Sequence, residues 1–228
     1  MYVKRVLFVN WGNLPNTEFE LGAINLFSGG NGSGKTTAAD AIQTVMTAAY
    51  DYLYTYNPGQ DETTQRGRGG KTVRTLSSYI LGCDDGSYAR PHVTDGYIGL
   101  HFAPTKGESA HPFTALVAAR AHLDQAGLRP VARLDALHFY ILPDVGLHLE
   151  GDLVINEGEG GKRLIPIDQI HDRLRRKYGE DSVEHYDTKK AYLRRLYGIL
   201  RGRRDSVSER EAMHAARAFS RFMAYKPV

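Results

Sequence analysis

The sequence predicts an α/β fold with mixed and antiparallel strands and with helices gathered toward its C-terminal end. Three patterns carry that expectation. An apolar run stops at a cluster of glycines and gives way to a segment whose apolar residues recur at intervals of three and four. Farther on, the strand-like segments 97–103, 113–121 and 136–142 are separated by turn-rich stretches and not by helices. That spacing argues for antiparallel pairing, since parallel strands need long crossovers. The last third is helical in period.

Residues 2–10 carry Val3, Val6, Leu7, Phe8 and Val9 and read as a strand broken by Gly12, Asn13, Pro15 and Asn16. Segment 17–21 alternates weakly, and segment 23–28, with Ile24, Leu26 and Phe27, reads as a buried strand feeding the glycines. A helix is expected over 36–50 from Ala39, Ile42, Val45, Met46 and Ala49, with no proline inside. Residues 51–73 read as a long loop, opened by the alternation of Tyr50, Tyr52, Tyr54 and Tyr56. Helices follow at 167–177, 187–200 and 208–223, the last two carrying Leu193, Leu196, Tyr197 and Leu200, then Ala212, Ala216, Phe219 and Met223. Ser206 with Glu209 and Ser208 with Glu211 both suit a capping box for the final helix. The expected organisation is a lobe over 1–166 and a helical segment over 167–228.

A chain of 228 residues can bury a real core. Cys83 is the single cysteine, so no internal disulfide can form and a reducing compartment is expected. No apolar stretch is long enough to span a bilayer, and a soluble protein is expected. The nine histidines are scattered, without H-E-x-x-H or zinc-type pairing, which leaves metallohydrolase readings unsupported. The formal net charge of +3 hides an asymmetry. Residues 162–228 hold 17 Lys or Arg against 9 Asp or Glu, and 1–161 hold 12 against 17. Arginine outnumbers lysine 20 to 9, and its planar fork suits phosphate.

The residues Gly29-Gly30-Asn31-Gly32-Ser33-Gly34-Lys35-Thr36 match G-x-x-x-x-G-K-[ST] between an expected strand and an expected helix, the context of a phosphate-binding loop. Glycines there let the backbone wrap phosphate with its amides pointing inward. Lys35 would reach the terminal phosphates, Thr36 would give a hydroxyl to Mg²⁺, Thr37 follows in the same turn, and the helix N-terminus adds partial positive charge. Gly70-Lys71-Thr72 repeats the last letters, but Gln65 stands where the leading glycine belongs; Gly161-Lys162 has Asn156 in that place. Hydrolysis needs a second strand ending in a metal-binding acid. The best candidate is 139–144, ending in Asp144, but Pro143 interrupts it and Val145 stands where a glutamate is wanted, so it reads as a structural strand and turn. No catalytic residue is assigned within the chain.

The order of the start strand, the turn Asn10-Trp11-Gly12, the run Ile24 to Phe27 and the loop continuing into Ala38-Ala39-Asp40-Ala41-Ile42-Gln43 resembles the N-terminal head segment of SMC-type ATPases of the ABC class. The tract Asn57-Pro58-Gly59-Gln60-Asp61-Glu62, then Arg74-Thr75-Leu76-Ser77-Ser78-Tyr79-Ile80-Leu81-Gly82 and Gly86-Ser87-Tyr88-Ala89-Arg90-Pro91, is similar to the SMC subunit of MksB/JetC (Wadjet) condensin-like systems. The resemblance covers most of the chain. It implies a head lobe with ATP and Mg²⁺ as cofactors, and a long coiled coil between this lobe and a C-terminal lobe carrying the metal acid and the signature motif. A second head engaged through ATP, kleisin and winged-helix accessory subunits, a candidate nuclease subunit and double-stranded DNA are the implied partners, in a bacterial, nucleoid-associated setting and away from membranes. The implied activity is ATP-driven DNA loop extrusion in chromosome organisation or plasmid defence. On this resemblance the chain, which ends after a helix with no heptads begun, is a head-lobe fragment with no turnover of its own. Asp40 matches an often acidic position of such heads, although an exposed helix residue reads equally well, and Arg74 is placed to approach the nucleotide.

Arg194, Arg195, Arg201, Arg203 and Arg204 fall within eleven residues and form a candidate duplex-DNA contact through phosphates. Arg66 and Arg68, with the nearby tyrosines, are a second candidate. Two other classes stay open: a stand-alone P-loop kinase or GTPase-like enzyme, and a DNA-binding scaffold that does not hydrolyse nucleotide.

Overall fold

The computed structural model describes residues 1–30, 32–56, 74–84, 87–127, 130–158 and 161–223. In chain order the elements are β1 (Tyr2–Val9), β2 (Thr17–Glu20), α1 (Lys35–Thr47), α2 (Leu76–Ile80), β3 (Cys83–Asp84), β4 (Ser87–Tyr88), β5 (Thr94–Ala103), β6 (Phe113–Asp124), β7 (Val131–Pro143), β8 (Val154–Asn156), β9 (Lys162–Leu164), α3 (Ile167–Tyr178), β10 (Glu184–Tyr186), α4 (Lys189–Leu200) and α5 (Glu209–Met223). Six strands make one sheet in the order β10-β7-β6-β5-β1-β2, and every pairing is antiparallel. The fold is α/β, as the sequence predicts.

Both faces of the sheet are covered, and β1 shows why its sequence is apolar at consecutive positions. Val6 and Phe8 enter one core with Ala41, Val45, Leu76, Tyr192, Leu196 and Ala216, from α1, α2, α4 and α5. Leu7 and Val9 enter a second core with Tyr140, Leu147, Ile170 and Leu174, on the side of α3. A strand half-solvated on one face would alternate; a strand walled in on both cannot. Each such side chain contributes about 1.5–3 kcal/mol of burial. Among the described residues α4 and α5 share the core of α1, and β10 pairs with β7.

Segment 23–28 departs from expectation. It forms no strand, and Ile24 is 95 % and Leu26 89 % exposed. Its composition suits a buried strand, but β2 closes the sheet on that side and no strand pairs beyond β2 among the described residues. The central strands run longer than their apolar stretches because the ladder needs only backbone groups. In their outer turns the register is held by polar pairs: Arg120 lies opposite Asp95 and donates to both of its carboxylate oxygens, at 2.6 and 2.9 Å. Five-residue α2 and three-residue β10 are too short for a period to reveal. A capping box between Thr75 and Ser78 starts α2. Of the two candidate boxes before the last helix, Ser208 with Glu211 forms: the Glu211 amide donates to Ser208 Oγ at 3.2 Å, and the Ser208 amide donates to Glu211 at 3.0 Å. No helix among the described residues is long and apolar enough to cross a membrane.

The approach to α5 is tight at Gly198 in α4, where an added Cβ would stand 2.5 Å from the Asp205 carbonyl oxygen. Alanine is the better helix former, so propensity alone favours the substitution by about 1 kcal/mol. Overpacking against backbone works the other way and is the larger effect, about 1–3 kcal/mol. Gly198→Ala is therefore expected to lower the thermal midpoint; a midpoint unchanged or raised would show that the connection before α5 yields freely.

Candidate phosphate-binding site

The glycine loop leads directly into α1, whose N-cap is Gly34 with φ +86°. Only glycine suits that place: a Cβ there would adopt a left-handed conformation and sit 2.6 Å from Leu14 Cδ2. Helix N-termini ordinarily attract a capping side chain or an acid. At α1 no side chain caps and no acid occupies the first turn, whereas α3 carries Asp168 and α5 carries Glu209 and Glu211 there. The positive end of α1 is thus left to something other than its own side chains. Lys35 Nζ donates to the carbonyls of Gly29 at 2.8 Å and Gly30 at 2.7 Å and to Ser33 Oγ at 3.3 Å. Around Gly30 and Gly32 a built Cβ meets nothing within 4 Å, so both positions border open space. Gly29, Ser33, Thr36 and Thr37 are in the same loop and first turn, with Thr36 exposed. Asn31 lies outside the described residues. An ammonium, a glycine backbone and a bare helix end suit a phosphate chain, and the exposed Thr36 hydroxyl suits the Mg²⁺ that would accompany it.

The base of this site is held from below by an aromatic assembly. Trp11 is fully buried, stacks on Tyr79 with ring centroids 4.4 Å apart, and donates from Nε1 to the Thr37 carbonyl at 2.7 Å. Gly12 N donates to the Tyr79 carbonyl at 2.9 Å, and Arg90 donates to the carbonyls of Gly12 at 2.6 Å and Ile80 at 2.8 Å. The tract 74–82 and Arg90 thus fold as a support that fixes the turn after β1 to the first turn of α1.

Asp40 corrects the reading of an exposed helix residue. It is fully buried and accepts hydrogen bonds from the hydroxyls of Tyr54 and Tyr79. Burial and the Asp40 charge push both phenols well above their ordinary range, so they stay protonated as donors. Tyr56, raised by burial, shares a 2.9 Å hydrogen bond with Thr44 Oγ1. The alternation of tyrosines is therefore packing at Tyr54 and Tyr56, while Tyr52 stays exposed. Arg74 turns to Tyr79, its Nη1 donating to the hydroxyl at 3.3 Å and its guanidinium 5.5 Å from the ring centroid.

Asp144 is at the other end of the sheet from the loop. It follows Pro143, which pairs with Phe113, which pairs with Phe102, which pairs with Val3 at the start of β1. The glycine loop belongs to the far end, near Val9, about 20 Å away at strand rise. There Asp144 faces His111 at 3.1 Å.

Most of the arginine cluster is occupied within the fold. Arg194 donates to the Val207 carbonyl at 2.9 Å, Arg195 pairs with Glu184 at 2.7 Å, and Arg201 and Arg203 converge on Glu211 at 3.2 and 3.3 Å. Arg204 is exposed. Arg66, Arg68 and Gly70-Lys71-Thr72 lie outside the described residues.

Glycine loop, lysine and bare helix end together define a nucleotide-binding loop of P-loop NTPase type. The particular likeness is to the P-loop containing region of AAA domains, whose family model matches residues 3–61. No curated protein matches the chain.

The Asp40 assembly makes a direct prediction. Asp40→Ala removes the shared acceptor of two phenols, each at about 1–3 kcal/mol when left unsatisfied in the interior. Urea unfolding is expected to show a loss of about 2–4 kcal/mol, and a change within 0.5 kcal/mol, the ordinary range for surface substitutions, would place the carboxylate in water.

Proposed function

We propose that this chain is the nucleotide-binding half of an SMC-like ATPase head, which holds Mg-ATP in its glycine loop and hydrolyses it only when a complementary lobe supplies the metal acid and the signature motif. The observation that carries the reading is the exposure of Ile24 and Leu26 directly before the loop. Large apolar side chains that stand in water are a cost unless another surface covers them, and a second lobe would cover them beside the phosphates. The distance of Asp144 from the loop supports the same division of labour, because a metal acid is needed near the phosphates. In this reading Lys35 holds the terminal phosphates, Thr36 ligates the Mg²⁺ that neutralises them, and the amides of Gly32, Ser33 and Gly34 line the cradle.

The test is binding and turnover of Mg-ATP by the chain alone and with the complementary lobe supplied in trans. Binding without turnover is expected for the chain alone, with turnover appearing on mixing. Lys35→Ala should abolish binding, and Leu26→Asp should leave binding intact while preventing activation by the second lobe. Turnover by the chain alone would favour the kinase or GTPase-like enzyme, and none on mixing the non-hydrolysing scaffold.

Duplex DNA is the partner proposed for the basic helical segment, through Arg201, Arg203 and Arg204; Arg194 and Arg195 are engaged by Val207 and Glu184. Binding should be independent of sequence and fall steeply with salt, each lost phosphate contact reducing the log–log slope by about 0.9. Replacing the three arginines by alanine is expected to flatten that slope by about 2–3. An unchanged slope would leave Arg201 and Arg203 as partners of Glu211 and Arg204 as surface solvation.

A further inference from the structure

Three histidines far apart in sequence meet at the β7–β10 edge of the sheet. The register sets His185 opposite Tyr140, with His138 two residues earlier on β7, so both imidazoles emerge on the face that α3 crosses. The His185 and Tyr140 rings stack at 4.8 Å between centroids, and His171 of α3 closes the group 5.1 Å from His185. Asp187, one residue past β10, is 79 % exposed and turns its carboxylate onto the same point.

The donor atoms converge. His185 Nε2 is 3.2 Å from His138 Nδ1 and 3.4 Å from Asp187 Oδ1, and His138 Nδ1 is 3.9 Å from that same oxygen. Ligand atoms around a tetrahedral zinc with bonds of about 2.0–2.1 Å stand about 3.3 Å apart. A proton between the two rings accounts for one of these contacts; three ligand atoms within 4.8 Å of one another are also what a cation satisfies. An independent observation lies next to them: His171 Nδ1 is buried and has no hydrogen-bond partner. The fourth position is open to water, and the exposure of Asp187 gives an ion a way in.

We propose that His138, His185 and Asp187 form a divalent transition-metal site, for which zinc is the best match, clipping the edge strand β10 and the start of α4 to β7. Two imidazoles exclude magnesium and calcium, which prefer oxygen ligands, and the tetrahedral spacing is less suited to copper(II), which favours tetragonal geometry. The site is separate from the glycine loop, so its function would be to stiffen the sheet edge on which α4 is seated.

The experiment uses chain without an affinity tag, stripped with chelator and titrated calorimetrically with zinc chloride, with cobalt(II) absorption as a second reading of coordination. One equivalent is expected to bind with a tetrahedral cobalt spectrum. Paired His138→Ala and His185→Ala substitutions should weaken zinc by roughly 100-fold or more, beyond the 10–100-fold typical of outer-shell changes. Asp187→Asn, at an exposed position where no packing is lost, should weaken it at least tenfold, the low end of that range. Zinc should raise the melting temperature of the wild type and not of the paired variant, since only a ligand of the native state stabilises it. Lys35→Ala should bind zinc as the wild type does. Zinc affinity no tighter than about millimolar (~4 kcal/mol), or affinity that survives both the paired histidine change and Asp187→Asn, would overturn the assignment and leave a His–His hydrogen bond.

Discussion

Asp40 cannot reach water, and a buried carboxylate survives only where donors surround it. That requirement explains much of the architecture beneath the glycine loop. Tyr79 must present its hydroxyl to Asp40, so α2 has to lie against α1; Tyr54 must do the same, so the chain leaving α1 has to double back. Once Tyr79 is fixed, its ring offers the flat surface on which Trp11 stacks, and Trp11 in turn holds the Thr37 carbonyl. A charge placed one turn into α1 thereby determines where that helix starts relative to β1. The loop is wrapped around a helix end that is already immobilised, which is the preorganisation an anion site needs.

The same logic separates what was legible in the sequence from what was not. The glycine motif, α1 and the three long strands could be read because each is a local pattern: fixed letters, a period of 3.6, or apolar runs between turns. Asp40 could not, since a charged letter inside a helix looks solvated until Tyr54 and Tyr79 are known to face it. The meeting of His138, His171 and His185 was equally hidden. It depends on the register of β10 against β7 and on α3 crossing the face, and no spacing along the chain records either. Segment 23–28 is a different case. Its residues are apolar as expected, and only their surroundings differ, because burial of a strand is a property of its neighbours as much as of its letters.

The two cores divide the labour of the fold. One packs α1, α2, α4 and α5 against the sheet and carries the loop; the other holds α3 and the segment leading to β8 and β9. Because β1 contributes to both through adjacent residues, a change at Val6 or Phe8 alters the loop side, while one at Leu7 or Val9 is felt first beneath α3. The basic residues of α4 and of the turn after it sit on the loop-side layer, where Glu184 pairs with Arg195 and Glu211 with Arg201 and Arg203.

The posture of Lys35 has one more implication. Its ammonium already spans the mouth of the loop, held by two neutral carbonyls and a hydroxyl. An incoming anion therefore does not have to recruit a distant cation or order a floppy side chain. It only has to outcompete weak acceptors for donors that are in place, exchanging ordinary hydrogen bonds for charge-assisted ones of about twice the strength. Selectivity at this mouth would then grade with the density of negative charge on the guest, favouring a longer polyphosphate over a shorter one before any base or sugar is sensed.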